Sequence, residues 1–335
     1  MANFTSTHDG ATDPYFCDIN VTDITGPFFI LIFVFSVIGN SLLLCVLFIY
    51  ENLKNVTNIF ILNLACSDLI FTITVPFWVV DYLHDWIFGD FGCKFMTAAY
   101  RAGLYSSVIL LTAMTVDRFI AVVLHKLKIN HAKRKKYAIC SCIAAWVISI
   151  SASLSDAMKV KVIKWDGFNY CEDESEDKLR DYLQVSLLFF LPFAIIIFCY
   201  SAILMKVLQG LNRKKFRTVA VLLCIVAAFF ICWGPYHIWL LITSFDMPND
   251  CKAQEWLYIT YHICEKLTYS HCCVNPLLCM LSQKLRKHLL NLLRCENVCR
   301  KNRETDTGQT VAFTAQRSAV QLELHNLPLN SHSLN

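Results

Sequence analysis

Charge is scarce in this chain of 335 residues. Asp, Glu, Lys and Arg make up 17% of it, whereas a soluble domain carries about 25%. No Lys or Arg occurs before Lys54. Four histidines have no partner nucleophile in register: His84, His237, His262 and His271. We therefore expect neither an enzyme nor a nucleic-acid-binding protein.

Long apolar runs take the place of the missing charge. Seven are long enough to cross a membrane: residues 28–50, 58–80, 95–116, 137–155, 182–205, 218–244 and 256–281. About 20 helical residues match a hydrocarbon core of about 30 Å. Lipid offers the backbone no hydrogen-bond partner, so each run is predicted to be a helix. The predicted fold is an all-α membrane protein, a bundle of seven transmembrane helices.

The charges that are present are sorted to two sides. The tail of residues 1–27 is acidic, whereas basic residues follow the third, fifth and seventh runs. By the positive-inside rule the basic segments are cytoplasmic and the N-terminus is extracellular. We expect a multi-pass protein of the plasma membrane, with glycosylation sequons at Asn3 and Asn20 in the outer tail. A third sequon, at Asn55, falls in a cytoplasmic loop.

Four of the seventeen cysteines lie on the predicted outer side: Cys17, Cys93, Cys171 and Cys251. Four cysteines can pair in three ways. We predict the pairs Cys93–Cys171 and Cys17–Cys251. Most of the other cysteines lie within the apolar runs, where a small buried hydrophobic side chain is the ordinary interpretation.

A few charged residues interrupt the runs, and a charge in lipid costs several kcal/mol. Asp68 lies in the middle of the second run and needs an ion, water or polar partners there. Arg118 ends the third run, where it could simply reach the headgroups. Glu265 and Lys266 could form a structural ion pair in the seventh run. Arg101 lies in the outer third of the third run.

Several motifs resemble the rhodopsin-like (class A) G protein-coupled receptors over residues 28–293. They are Gly39-Asn40, Leu64-Ala65-Cys66-Ser67-Asp68, Asp117-Arg118-Phe119, Cys232-Trp233-Gly234-Pro235 and Asn275-Pro276. Each motif alone is weak evidence, but all five occur in order on the expected runs. A retinal-binding member would need a lysine at Tyr269, and an amine receptor an aspartate at Tyr100.

A second set of motifs is similar to the chemokine receptors. It comprises Thr74-Val75-Pro76, Trp86-Ile87-Phe88-Gly89, Ser270-His271-Cys272-Cys273 and the Cys17/Cys251 pair. Within that family, the stretch Tyr50-Glu51-Asn52-Leu53 and the following run resemble the XC class, the receptors for lymphotactin. The resemblance implies a small basic chemokine as ligand and an inhibitory (Gi-family) heterotrimeric G protein as partner.

The resemblance implies two ligand contacts. In the acidic tail, Tyr15 is a candidate for sulfation, and residues 172–177 extend the acidic surface in the second outer loop. The flexible N-terminus of the ligand is expected in the helical cavity, with its amine on Glu265. Candidate wall residues are Trp78, Tyr100, Arg101, Tyr236, Lys266 and Tyr269. The expected Lys266 interactions are with Glu265 or with a ligand carboxylate.

The resemblance also implies how the receptor switches. Trp233 would bias the bend at Pro235, and Arg118 would leave Asp117 to meet the G protein, helped by Tyr200. Asn275 and Pro276, in the family motif of the seventh run, are implied as activation residues too. A sodium site of the inactive state is implied at Asp68, Ser107 and Asn275. Two departures from the family pattern are Gly103, where many relatives have asparagine, and Cys279, where the motif ends in tyrosine.

The C-terminal segment divides in two. The segment 282–299 is predicted to contain an amphipathic helix over residues 283–293, lying on the membrane lipid, and a palmitoylation site at Cys295 and Cys299. Residues 300–335 are predicted to be disordered. Their Ser and Thr residues could take phosphates from receptor kinases and recruit arrestin: Thr305, Thr307, Thr310, Ser318, Ser331 and Ser333.

Three classes of function fit these observations. A signalling chemokine receptor is the first, with residues 28–281 as its transmembrane bundle. A scavenger that binds chemokines with little G-protein signalling is the second, because Cys279 departs from the family motif. A seven-helix transporter is the third, but the chain lacks both the retinal lysine and a carboxylate relay. We expect the first, with no cofactor other than the sodium ion.

Overall fold

The computed structural model describes residues 21–124, 130–165, 167–173, 186–209, 213–245, 251–280 and 283–293. The helices are Val21–Tyr50 (α1), Val56–Leu83 (α2), Gly89–Val122 (α3), His131–Ala157 (α4), Leu191–Gln209 (α5), Arg213–Phe245 (α6), Cys251–Met280 (α7) and Gln283–Leu293 (α8). The strands Val160–Trp165 (β1) and Phe168–Asp173 (β2) follow α4. One π-helical turn, Ser186–Phe190, leads into α5.

The predicted seven-helix bundle is confirmed, since each apolar run coincides over most of its length with one of the helices α1–α7. Among the residues that the structure describes, five helical segments are long and apolar enough to cross a membrane: Gly26–Tyr50, Val56–Leu83, Gly89–Val122, His131–Ala157 and Val226–Thr243. A shorter apolar segment is Leu191–Lys206 of α5. Several helices are longer than their apolar runs, because backbone hydrogen bonding continues beyond the hydrocarbon layer.

Helix ends and kinks follow local sequence. Asn55 and Asn130 are the N-caps of α2 and α4, where their side chains accept hydrogen bonds from backbone N–H groups. Such caps satisfy donors that the first helical turn leaves without partners. Pro76 lies inside α2, and the Thr74 hydroxyl donates to the carbonyl of Phe71 at 2.7 Å. The threonine hydroxyl therefore hydrogen-bonds to the backbone of the turn that precedes the proline.

The helix α3 is the most central one, packing against α2, α4 and α5. Its approach to α2 requires Gly103: a Cβ atom there would lie 2.8 Å from the backbone nitrogen of Phe71. On the other side of the bundle α1 packs against α2 and α7. Gly39 of α1 is needed at that contact, because its Cβ would lie 2.9 Å from the Pro276 ring.

The strands β1 and β2 form an antiparallel hairpin with Val162 opposite Cys171. Its turn contains Gly167 at φ 86°, a left-handed conformation that glycine adopts without strain. A disulfide joins Cys171 to Cys93 of α3, which confirms that predicted pair. Trp86, 1% exposed, packs against this disulfide. Its backbone N–H donates a hydrogen bond to the Asn169 carbonyl of β2, which ties the hairpin to the bundle. We call this end of the bundle the hairpin end.

The short helix α8 is amphipathic within its described residues. Leu285 is buried and Leu289 is half-buried, whereas Arg286 and Lys287 are exposed. This pattern agrees with a helix that would lie on a lipid surface.

Candidate functional site

The hairpin end of the bundle contains a cavity of about 110 Å³ between α2, α3, α4, α6, α7 and the hairpin. Six of the predicted ligand-binding residues line it together: Trp78, Tyr100, Arg101, Tyr236, Glu265 and Tyr269. Glu172 of the predicted acidic run also lines the cavity, and side chains that had not been predicted complete the lining, notably Asp156, His237 and Tyr261. The cavity therefore has several ionisable groups on an aromatic framework.

Tyr100 is the centre of the aromatic wall. Its ring centroid lies 5.1 Å from that of Phe71, 6.0 Å from that of Trp78 and 5.9 Å from that of Tyr269. Phe71 is fully buried behind the wall and contacts Tyr269 as well. Such ring clusters form a preorganised surface with few rotatable bonds.

Glu265 supplies the carboxylate on α7. Its oxygens have only long contacts: Tyr261 donates to one at 3.5 Å, and His262 Nδ1 lies 3.6 Å from the other. In the part of the chain that the structure describes, no Lys or Arg forms an ion pair with this carboxylate. Lys266 is half-buried and is not among the described residues that line the cavity. Glu265 is thus a carboxylate without a Lys or Arg partner among the described residues.

Arg101 faces the cavity from α3. Its guanidinium lies 5.7 Å from the centroid of the Tyr100 ring, within reach of a cation–π interaction. The nearby Asp156 accepts a hydrogen bond from the Tyr105 hydroxyl. Asp156 and Glu172 line the cavity too, so both signs of charge are represented in it.

Trp233 of α6 lines the cavity with a ring that is almost fully buried in the bundle. Its ring is 2% exposed and lies 5.3 Å from His271 and 6.0 Å from His237 between centroids. Pro235 lies two residues further along the same helix. Trp233 therefore lies close to the part of α6 where proline interrupts the hydrogen-bond ladder.

A buried polar cluster surrounds Asp68 in the middle of the bundle. The carboxylate is fully buried and accepts hydrogen bonds from Ser107 at 3.3 Å and from the Asn275 amide at 2.9 Å. Asn40 of α1 donates to the carbonyl of Cys272 on α7 at 3.0 Å. The structure thus brings together the three residues Asp68, Ser107 and Asn275 from three different helices.

At the other end of the bundle, Asp117 is held by two arginines. Arg134 of α4 donates from Nε at 2.7 Å and from a terminal nitrogen at 2.6 Å, and Arg118 donates at 3.0 Å. Arg118 also donates to the hydroxyl of Thr57 on α2. We call Thr57, Asp117, Arg118 and Arg134 the arginine latch. The arginine latch links α2, α3 and α4. Tyr200, the residue of α5 that was predicted to assist Arg118, is buried.

Comparison with known proteins decides the family. Residues 39–278 match the model of the 7 transmembrane receptor (rhodopsin family). Chemokine XC receptor 1 of human is 38% identical over 274 residues, 81% of each chain. The mouse chemokine XC receptor 1 is 38% identical over 287 residues, covering 85% of this chain and 87% of its own. Human C-C chemokine receptor type 1 is 34% identical, with 79% and 78% covered.

The chain belongs to the chemokine receptors of the rhodopsin family. The receptor is therefore a multi-pass protein of the plasma membrane, and it is not an enzyme.

Sequence reasoning overlooked several residues of this receptor. Tyr261 and His262 precede Glu265 by four and three positions, the spacing that places helical side chains on one face. That spacing could have identified both. Arg134 was assigned only to the basic cytoplasmic loop, and nothing in the local sequence indicates that it reaches Asp117. The cavity position of Asp156 depends on how α4 meets α3, which no motif reports.

Other predicted residues lie outside the described part of the receptor. They are Asn3, Tyr15, Cys17, Asn20, Cys295 and Cys299, together with the side chains of Cys251 and Cys279. The Cys17–Cys251 disulfide, the tail modifications and the effect of Cys279 stay predictions.

Proposed function

We propose that this receptor binds a small basic chemokine of the XC type on its hairpin end and activates an inhibitory (Gi-family) heterotrimeric G protein at the other end. Two relatives with the highest identity given above carry the name chemokine XC receptor 1, which supports the ligand class. The distribution of basic residues supports an extracellular N-terminus and hairpin end.

The observation that carries the proposal is Glu265 within the aromatic cavity. Its carboxylate faces the same space as Trp78, Tyr100 and Tyr269, and its contacts to Tyr261 and His262 are long. A peptide N-terminus offers one ammonium group on a flexible, narrow chain. Such a group would replace long contacts by a charge-assisted hydrogen bond. The acidic tail and the 172–177 run would attract the basic body of the ligand.

Transmission would use the contacts below the cavity. A ligand segment that reaches Trp233 biases the bend of α6 at Pro235, and an outward swing of α6 opens a cleft at the opposite end. Arg118 then leaves Asp117 and contacts the G protein, helped by Tyr200. The inactive state is favoured by the arginine latch that the structure contains.

A sodium ion fits the buried polar cluster. Asp68 is a fully buried carboxylate that forms no ion pair with a Lys or Arg among the described residues, and the hydroxyl of Ser107 adds a second oxygen. Asp68, Ser107 and Asn275 would surround the ion, which would supply the missing positive charge. Gly103 contributes no side-chain oxygen, so we expect weaker binding than in relatives with asparagine there.

The remaining partners follow from the segments outside the bundle. Receptor kinases and arrestin would act on the serines and threonines of residues 300–335. Palmitoylation of Cys295 and Cys299 would hold the region of α8 on the lipid. Glycosylation at Asn3 and Asn20 and sulfation at Tyr15 would modify the tail, and mass spectrometry of the tail after native expression tests the sulfation.

The experiment that tests this function is inhibition of cAMP production in cells expressing the receptor. The cells are challenged with a chemokine panel that includes lymphotactin, with and without pertussis toxin. A response that the toxin abolishes is the expected result. Binding and uptake of a chemokine without that response would overturn Gi coupling and favour the scavenger function.

A further inference from the structure

Arg101 carries a charge that the proposed amine contact does not use. It lines the same cavity as Glu265 and is half-buried near the Tyr100 ring. Within the described residues, no carboxylate lies at ion-pair distance from its guanidinium. A cation at this depth in a membrane bundle is costly to maintain, and such residues typically mark a functional contact.

The two acidic neighbours of Arg101 do not neutralise it directly. Asp156 accepts a hydrogen bond from the Tyr105 hydroxyl. Glu172 lies on β2, opposite Lys161 of β1. Both line the cavity without forming an ion pair with Arg101 in the described part of the chain. The five N–H donors of a guanidinium are arranged as a fork that fits a carboxylate bidentately.

We infer that Arg101 forms a carboxylate subsite, so that the cavity recognises a peptide N-terminus that bears an acidic side chain as well as its free amine. The inference rests on the proposed function, in which Glu265 takes the amine. Tyr100 lines the same cavity as both charged groups, with the Arg101 guanidinium 5.7 Å from its ring centroid and the Tyr269 ring of α7 at 5.9 Å. The ligand segment would lie across this ring with an amine on one side and a carboxylate on the other.

Arg101 and Lys266 are the two basic residues among the expected wall residues, and they differ in their position relative to the cavity. Lys266 follows Glu265 directly, and adjacent helical residues point about 100° apart, so the two side chains differ in direction. The lining of the cavity in the described residues includes Glu265 and Arg101 but not Lys266. Selection for an acidic ligand side chain should therefore depend on Arg101 alone.

Lymphotactin is the probe for the test, prepared with Glu or with Gln at each of its first four positions in turn. Each pair of forms competes with labelled lymphotactin on cells that express the full chain. At one position at least, the Glu form should bind roughly tenfold more tightly than the Gln form, the range of one charge-assisted contact. Arg101→Gln should abolish this preference, and Arg101→Lys should keep part of it.

Lys94→Gln is the matched control, because Lys94 is an exposed cation paired with Asp90 outside the cavity. Equal affinity of all Glu and Gln forms, or a preference that survives Arg101→Gln, would overturn the subsite. A preference lost in Lys266→Gln instead would assign the carboxylate to Lys266. Failure of labelled lymphotactin to bind receptor counted at the cell surface would contradict the proposed ligand class, and the subsite with it.

Discussion

Single residues in the cavity differ in how firmly they are held. The rings around Tyr100 contact each other at 5–6 Å, whereas the carboxylate of Glu265 has contacts of 3.5 and 3.6 Å. A carboxylate with strong internal partners would lose them when a ligand binds, and that loss would offset the new contact. Because its internal contacts are weak, Glu265 can gain interaction energy from an ammonium group.

Glu265→Gln keeps the shape of the side chain and removes its charge. We expect chemokine potency in the cAMP assay to fall by about tenfold or more, since charge-assisted hydrogen bonds contribute about 1.5–3 kcal/mol. Binding at the cell surface should fall less, because the tail and the outer loops still contact the ligand. Asp90→Asn, at an exposed carboxylate paired with Lys94, is the control. Potency equal to that of the unsubstituted receptor would rule out the assigned role of Glu265.

Gly103→Ala tests the close approach of α3 to α2. The added Cβ would lie 2.8 Å from the Phe71 nitrogen and 2.9 Å from the Ser67 oxygen, both backbone atoms. We expect a loss of stability of about 1–3 kcal/mol from overpacking, measured as a lower melting temperature of the purified receptor. Gly26→Ala is the control, since its Cβ would meet only the flexible Leu83 side chain at 3.3 Å. Equal melting temperatures for both variants would contradict the close approach.

At the scale of whole elements, the arginine latch joins three helices through one carboxylate. Asp117 is 11% exposed and receives three N–H groups from two arginines. Arg134 supplies the bidentate pair, and Arg118 the single contact. The stronger bond therefore connects α3 with α4, and the weaker one restrains the arginine that is proposed to meet the G protein.

Asp117→Asn removes the charge that both arginines share. Arg118 then keeps only its contact with Thr57, so basal signalling without ligand should rise. Arg134→Gln leaves the Asp117–Arg118 pair intact and should raise basal signalling less, while it lowers the melting temperature through the lost link to α4. Lys133→Gln, at an exposed position of α4, is the control. A larger basal rise for Arg134→Gln than for Asp117→Asn would show that the bond to α4 is the main restraint.

The helices could be predicted from sequence, whereas the contacts between distant segments could not. Lipid enforces helices over apolar runs, so hydropathy locates α1–α7 without knowledge of their packing. The β1–β2 hairpin was predicted only as part of an outer loop, although Asp166-Gly167 between two runs rich in β-branched and aromatic residues is a hairpin signal in the local sequence. The bond between Arg134 and Asp117 joins residues 17 positions apart on two helices. Only the relative placement of α3 and α4 determines that contact.

The cavity contains some residues that could be predicted from sequence and others that could not. The resemblance to chemokine receptors implies that Trp78, Tyr100 and Glu265 are cavity residues, and all three lie in the lining. Asp156 and His237 lie in the lining because α4 and α6 turn those faces inward. A residue with no motif around it gives no signal of this kind in a single sequence.

At the scale of the whole molecule, the cavity and the latch lie at opposite ends of one helix, α3. Tyr100 and Arg101 are near one end, Asp68 contacts its middle through Ser107, and Asp117 and Arg118 are near the other end. Ligand and G protein would thus act on one continuous element, while α6 provides the hinge at Pro235. A two-state bundle of this kind responds only to a ligand that prefers one of its states.

Nucleotide exchange on purified Gi, catalysed by the purified receptor in lipid nanodiscs, tests this central claim most directly. The chemokine that responds in cells is added, and binding of labelled GTPγS is followed for the unsubstituted receptor and for Glu265→Gln. The expected result is ligand-stimulated exchange on Gi that Glu265→Gln strongly reduces. Chemokine binding to the same nanodiscs without any acceleration of exchange would contradict the proposal that this chain is a Gi-coupled signalling receptor.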